Sequence, residues 1–124
     1  MATVRYLVQD VDSALRFYVD VLGFEEKRRM GPPFAMVAKG DLTVWLSGPA
    51  SSAARPMPDG RTPQPGGWNR LVVEVKDLAA TVNDLKARGV TFRNEIVTGL
   101  GGKQIVLDDP SGNPVELFQP AAPR

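Results

Sequence analysis

The chain has 124 residues, 43% of them hydrophobic and 23% charged, which is the balance of an ordinary folded domain and neither a disordered nor a fibrous one. It contains no histidine and no cysteine, and this excludes Ser-His-Asp and Cys-His nucleophiles, thiolate chemistry, disulfides, and metals held by imidazole or thiolate. With 15 Lys and Arg against 14 Asp and Glu the net charge is +1, too weak a field to gather nucleic acid or an anionic membrane, so small neutral or zwitterionic ligands are the partners left open.

No stretch approaches the roughly 18 apolar residues of a membrane span. The N-terminus MATVRYLVQD lacks the basic-then-apolar order of a secretion signal, and the chain reads as cytoplasmic.

Taken in chain order, residues 3–8 alternate as a strand does, with Val4, Tyr6 and Val8 on one face and Thr3, Arg5 and Leu7 on the other. Asp10 then opens a helix as its N-cap, and Gly23 closes it at C′. Between them Ala14, Leu15, Phe17, Tyr18, Val21 and Leu22 form an apolar stripe near the 3.6 period. Residues 24–30 carry a weaker strand signal, and the mixed-sign run 25–29 (EEKRR) suits a solvated strand edge. Residues 34–48 read as two strands joined by a turn at Lys39-Gly40-Asp41.

A segment with five Pro and four Gly follows, residues 47–67, whose composition supports neither strand nor helix. Such a stretch is either a linker or a binding loop, in the latter case a lid carrying Met57 and Arg61.

The pattern then repeats. Val8 and Asp10 precede Val75 and Asp77 by 67 positions, whereas Gly23 precedes Gly89 by 66, so the second helix is one residue shorter. Asp77 is its N-cap, Gly89 its C′ residue, and Leu78, Val82 and Leu85 its apolar stripe. Leu71, Val73 and Val75 face it from the preceding strand. Residues 90–97 are a weak strand, and residues 103–120 read as a hairpin turning at residues 109–113 (DPSGN). Val44 and Leu46 correspond to Val115 and Leu117 at an offset of 71. The Gly-rich run 98–103 lacks the spacing of a phosphate loop and precedes a strand, so it reads as a hairpin or rim loop.

The fold class is therefore α+β: two βαβββ modules, residues 1–48 and 68–124, joined by the loop 49–67 in one domain. They are expected to form a curved mixed sheet around a concave cup, with the helices on the outer face. The face turned away from the helices carries Thr3, Arg5 and Leu7, then Thr43, Trp45 and Ser47. In the second module it carries Arg70, Val72 and Glu74, then Glu116 and Phe118. Trp45 and Phe118 are large apolar groups to leave in water, which favours a pocket on this face.

The paired modules, the run VQDVDSALRFYVDVLGF (residues 8–24) and the run DPSGNPVELF (residues 109–118) resemble the vicinal oxygen chelate superfamily of glyoxalases, extradiol dioxygenases and bleomycin-resistance proteins. The resemblance implies dimers, and in metal-dependent members one divalent ion held by four positions, which fall here on Thr3, Trp45, Arg70 and Glu116. Only Glu116 is a metal-ligand type, and a guanidinium cannot ligate a cation. No metal and no other cofactor is expected; instead Arg70 should pair with Glu116.

The leading functional expectation is a metal-free protein of the bleomycin-resistance type that sequesters a hydrophobic or aromatic ligand. Trp45, Trp68 and Phe118 would supply flat contact, and Arg5, Arg70, Glu74 and Glu116 would orient the ligand. The alternative is a lyase-, isomerase- or dioxygenase-like enzyme using Glu116 or Glu74 as acid/base or metal ligand. A module without a ligand is the third reading. Expected partners are the small molecule and a second copy of the chain.

Overall fold

A computed structural model describes residues 2–122. The chain divides into two compact units, Met1–Gly66 and Gly67–Arg124, each built on one βαβββ module. The connecting segment up to Gly66 belongs with the first unit.

In the first unit β1 (Ala2–Leu7) leads into α1 (Val11–Arg16), followed by β2 (Glu25–Arg29), β3 (Phe34–Lys39) and β4 (Leu42–Ser47). The sheet order is β1-β4-β3-β2, with β1 parallel to β4 and the remaining neighbours antiparallel. In the second unit β5 (Leu71–Glu74) and α2 (Leu78–Ala87) precede β6 (Val97–Thr98), β7 (Gly102–Asp108) and β8 (Pro114–Pro120). Their order, β5-β8-β7-β6, reproduces the first, again with only the crossover pair parallel. A parallel neighbour needs a crossover connection, and each module's helix lies within it.

Alternation decides which face each sheet buries. Tyr6, Val8, Val44 and Leu46 are buried with Ala35 and Val37 beneath α1, while Leu71, Val73, Val115 and Leu117 are buried with Ile105 and Leu107 beneath α2. Asp10 and Asp77 both cap as expected, accepting from the backbone N–H of Ser13 and Ala80. Gly23 and Gly89 both stand at positive φ, 78° and 85°, where the helices end.

The one-residue mismatch between the repeats has a structural origin. After Arg16 the first helix widens into a π-turn, Phe17–Val21, in which the Leu22 N–H donates to the Phe17 carbonyl instead of that of Tyr18. Such a turn accommodates one inserted residue within a helix. It surrounds Tyr18, fully buried, with Tyr6, Phe17 and Phe24 in edge-on contact at centroid distances of 6.5, 5.5 and 5.5 Å.

Two expectations need correction. Residues 90–97 do not form a continuous strand. Phe92 bridges Leu107, the chain bends at Arg93 and Asn94, and pairing resumes only at Val97–Thr98. The cause is the Asn94 carboxamide, whose Oδ1 accepts from the Val106 N–H at 3.0 Å and so takes the place of a backbone carbonyl. Likewise the segment after β4 is not wholly irregular, since Ser52–Ala54 form one 3-10 turn. Beyond it a tight turn, with the Met57 N–H donating to the Arg61 carbonyl and Arg61 paired with Asp59, holds Met57 and Arg61 in solvent.

Candidate functional site

The sheet faces opposite the helices carry the candidate residues. On the first, the parallel register sets Arg5 beside Trp45, and Leu7 beside Ser47. The Arg5 guanidinium lies 5.0 Å from the Trp45 ring centroid and its Nη1 donates to Ser47 Oγ at 3.1 Å. Phe34, next along the antiparallel ladder, meets the same indole edge-on at 5.8 Å. The arrangement is a half-exposed edge-to-face aromatic pair, Phe34 and Trp45, with a cation over the indole that a fully buried hydroxyl holds in place.

On the second face the register sets Val72 beside Glu116, and Glu74 beside Phe118. Arg70, immediately before β5, reaches diagonally to Glu116, and its Nε and Nη2 both donate to Oε1, at 3.0 and 2.9 Å. The expected pair thus forms, and it is mostly sequestered, with Glu116 10% and Arg70 27% exposed at the side chain. Phe118 is half-buried beside the Gly-rich loop, where a Cβ built on Gly101 would come 4.0 Å from its Cζ. Val72 and Glu74 are exposed.

Trp45 and Glu116 are equivalent in the repeat, and each is engaged by an arginine of its own module. The arginines are not equivalent: Arg5 matches Val72, and Arg70 matches Thr3. Two different cation contacts have therefore arisen at one sheet position.

Trp68 is not on either sheet face. It lies 70% exposed, with the Arg93 guanidinium 4.6 Å from its ring centroid. Arg93 also donates to Asp108 Oδ1 at 2.6 Å and to the carbonyls of Gly67 and Gly112 at 2.7 and 3.0 Å. Neither Arg93 nor Phe34 is among the site residues expected from the sequence. Phe34 was within reach, because alternation through the hairpin 34–48 puts it on the face of Trp45. Arg93 was not, since its partners lie 15 to 26 residues away.

The four positions at which the resemblance places metal ligands do not make a donor set for a divalent ion. They offer a hydroxyl at Thr3, an indole at Trp45 and a guanidinium at Arg70, and the remaining carboxylate, Glu116, spends Oε1 on that guanidinium. Among the described residues no three Asp or Glu gather into a metal-sized group. No helix of the described residues is long and apolar enough to cross a membrane.

Comparison with known proteins agrees with this architecture. Residues 1–117 match the family model of the Glyoxalase/Bleomycin resistance protein/Dioxygenase superfamily. No curated protein matches in sequence. Among solved structures, a member of that superfamily from Sphaerobacter thermophilus DSM 20745 superposes with a TM-score of 0.76 at 28% identity, over 96% of this chain and 95% of the other. An antibiotic binding protein from Streptomyces sp. CB03234 does so with 0.72 at 27% identity, over 96% and 93%. A lactoylglutathione lyase from Agrobacterium tumefaciens shares the fold with a TM-score of 0.73 at 20% identity, over 96% and 92%.

Proposed function

The chain belongs to the Glyoxalase/Bleomycin resistance protein/Dioxygenase superfamily, and we propose that within it this protein binds a hydrophobic or aromatic small molecule without a metal and without chemistry. The observation that carries the reading is the engagement of Glu116. Two guanidinium N–H groups on one oxygen hold this carboxylate as an ion-pair partner, which suits neither a ligand of a Lewis acid nor a free general base. What the faces offer instead is aromatic surface with cations held in place: Phe34 and Trp45 beside Arg5 on one, and Phe118 on the face of the Arg70–Glu116 pair on the other. That is the recipe of a site that orients a planar ligand. The likeness to an antibiotic binding protein at 27% identity supports the same direction. A homodimer is part of this proposal.

The test is a titration followed by tryptophan emission in a Trp68→Phe variant, so that Trp45 is the sole reporter. Saturable quenching by members of a panel of aromatic antibiotics, with the ligand recovered unchanged, is the expected result. A thermal scan of metal-stripped protein with Mn²⁺, Fe²⁺, Co²⁺, Ni²⁺, Zn²⁺ or Mg²⁺ runs beside it. An ion at 100 times its Kd adds about 2.7 kcal/mol to stability, on the order of 10 °C here, and a shift of that size defeats the metal-free reading.

A further inference from the structure

The open face of the first sheet holds a row of four residues that the strand register sets side by side. Arg5 of β1 stands opposite Trp45 of β4, Trp45 opposite Met36 of β3, and Met36 opposite Arg28 of β2. Residues paired across strands share a sheet face, so all four lie on the side away from α1. The next residue of the edge strand bears this out. Arg29 lies opposite buried Ala35 and forms an ion pair with Asp12 of α1, so Arg28 beside it points the other way. Strands lie about 4.8 Å apart, which puts roughly 14 Å between the Cα atoms of the two arginines that end the row.

These two arginines are not neutralised. Arg29, Arg61, Arg70, Arg88 and Arg93 each pair with a carboxylate, whereas among the described residues no carboxylate pairs with Arg5 or Arg28. Ser47 holds Arg5 through Nη1, which leaves the rest of its guanidinium fork able to donate. The four strands of this sheet contain only two carboxylates, Glu25 and Glu26. Glu26 lies opposite buried Val37, on the helix side, and Glu25, opposite Ala38, is bound by Lys27 at 2.7 Å. The row therefore ends in two uncompensated positive charges, with half-buried Trp45 and Met36 between them. In the second unit the equivalent positions are Val72, Glu116 and Val106, and Arg70 cancels their single charge. The charge of the first row thus belongs to this face and not to the repeat.

We propose that the ligand taken by this face is a planar aromatic diacid, its ring system lying along Trp45 and Met36 and its two anionic groups, carboxylate or sulfonate, on Arg5 and Arg28. The inference rests on the reading of the protein as a binder of aromatic small molecules, and adds the ligand's charge. A guanidinium presents parallel N–H donors that match a planar oxyanion, while an indole and a thioether give a flat ring polarizable contact. A neutral ring would leave both cations without a counter-charge, and a cationic one would be repelled by them. Arg5 already leans inward over the indole, 5.0 Å from its centroid. The body that fits is therefore shorter than the Cα separation, about two fused rings with an acid at each end.

The probes are naphthalene-2,6-dicarboxylate and its neutral dicarboxamide, titrated into the full chain at low ionic strength and followed by amide chemical shifts. The diacid is expected to bind saturably, with shifts at Arg5, Arg28, Met36 and Trp45, and at least about tenfold more tightly than the diamide. Arg28→Gln should weaken the diacid by about tenfold and leave the diamide unchanged, whereas Arg16→Gln, which removes a cation from α1 on the other side of the sheet, should change neither. Arg28 is exposed and unpaired, so its variant should melt with the wild type, and a loss of binding there reads the contact and not the fold. The inference fails if millimolar diacid gives no saturable shifts, if the diamide binds as tightly, or if Arg16→Gln weakens the diacid as much as Arg28→Gln does. Equal binding of the two probes would overturn the charge and leave the aromatic-binder reading standing. No binding of either probe, nor of the aromatic panel, would overturn both.

Discussion

Arg70 donates from Nε and Nη2 to a single oxygen of Glu116, and so engages the one carboxylate among the four positions at which the resemblance places metal ligands. The pair is partly wet on the arginine side, so its loss falls short of that of a dry buried pair. Glu116→Ala or Arg70→Ala should each cost about 2 kcal/mol in urea unfolding, and the double variant about the same as either alone, because the second substitution removes an already unpaired group. Additive losses would show that the two side chains act separately.

Ser47 and Arg5 make a second, asymmetric prediction. The Ser47 hydroxyl is fully buried and Arg5 donates to it, so Arg5→Ala strands a buried acceptor and should cost about 1–2 kcal/mol. Adding Ser47→Ala removes the stranded group and should recover most of that loss. The readout is chemical denaturation of the three variants. In the same series, Trp45→Phe should keep ligand affinity within about tenfold and Trp45→Ala should lose it, if the indole is a flat contact surface.

Arg93 ties together pieces of the second unit that are distant in sequence: the Gly67 carbonyl, Asp108, the Gly112 carbonyl and the face of Trp68. Arg93→Ala is expected to destabilise by roughly 2–4 kcal/mol and to shift Trp68 emission, read in a Trp45→Phe background. Arg93→Lys should recover little, since an ammonium has neither the planar fork nor the stacking face.

Neighbouring glycines in the rim loop should respond differently. Gly102 stands at φ 151° with the Gln119 carbonyl oxygen in the space a Cβ would take, so Gly102→Ala must displace backbone in the β7–β8 pair. A loss above about 2 kcal/mol is expected, measured by thermal or urea unfolding. At Gly101 a Cβ meets nothing nearer than Phe118 Cζ at 4.0 Å, and Gly101→Ala should be close to neutral.

The repeat, its caps and its faces were legible in the chain because each rests on short-range chemistry. Asp10 and Asp77 cap the helix starting beside them, and strand alternation assigns Val4, Tyr6 and Val8 one side and Arg5 the other whatever the sheet packs against. Even the single-residue mismatch between the repeats was visible, although its form, a π-turn around Tyr18, was not. The Arg70–Glu116 pair was expected on another ground, the resemblance, which places both residues at positions where metal-dependent relatives hold one ion.

What lay beyond the sequence depends on groups that meet only after folding. A side-chain amide at Asn94 displaces a backbone acceptor and breaks a strand that composition favours. A guanidinium at Arg93 gathers two distant carbonyls and lies over the ring of Trp68. Alternation ranks residues by side but not by neighbour, so it placed Ser47 on the open face without showing that it is fully buried and anchors Arg5.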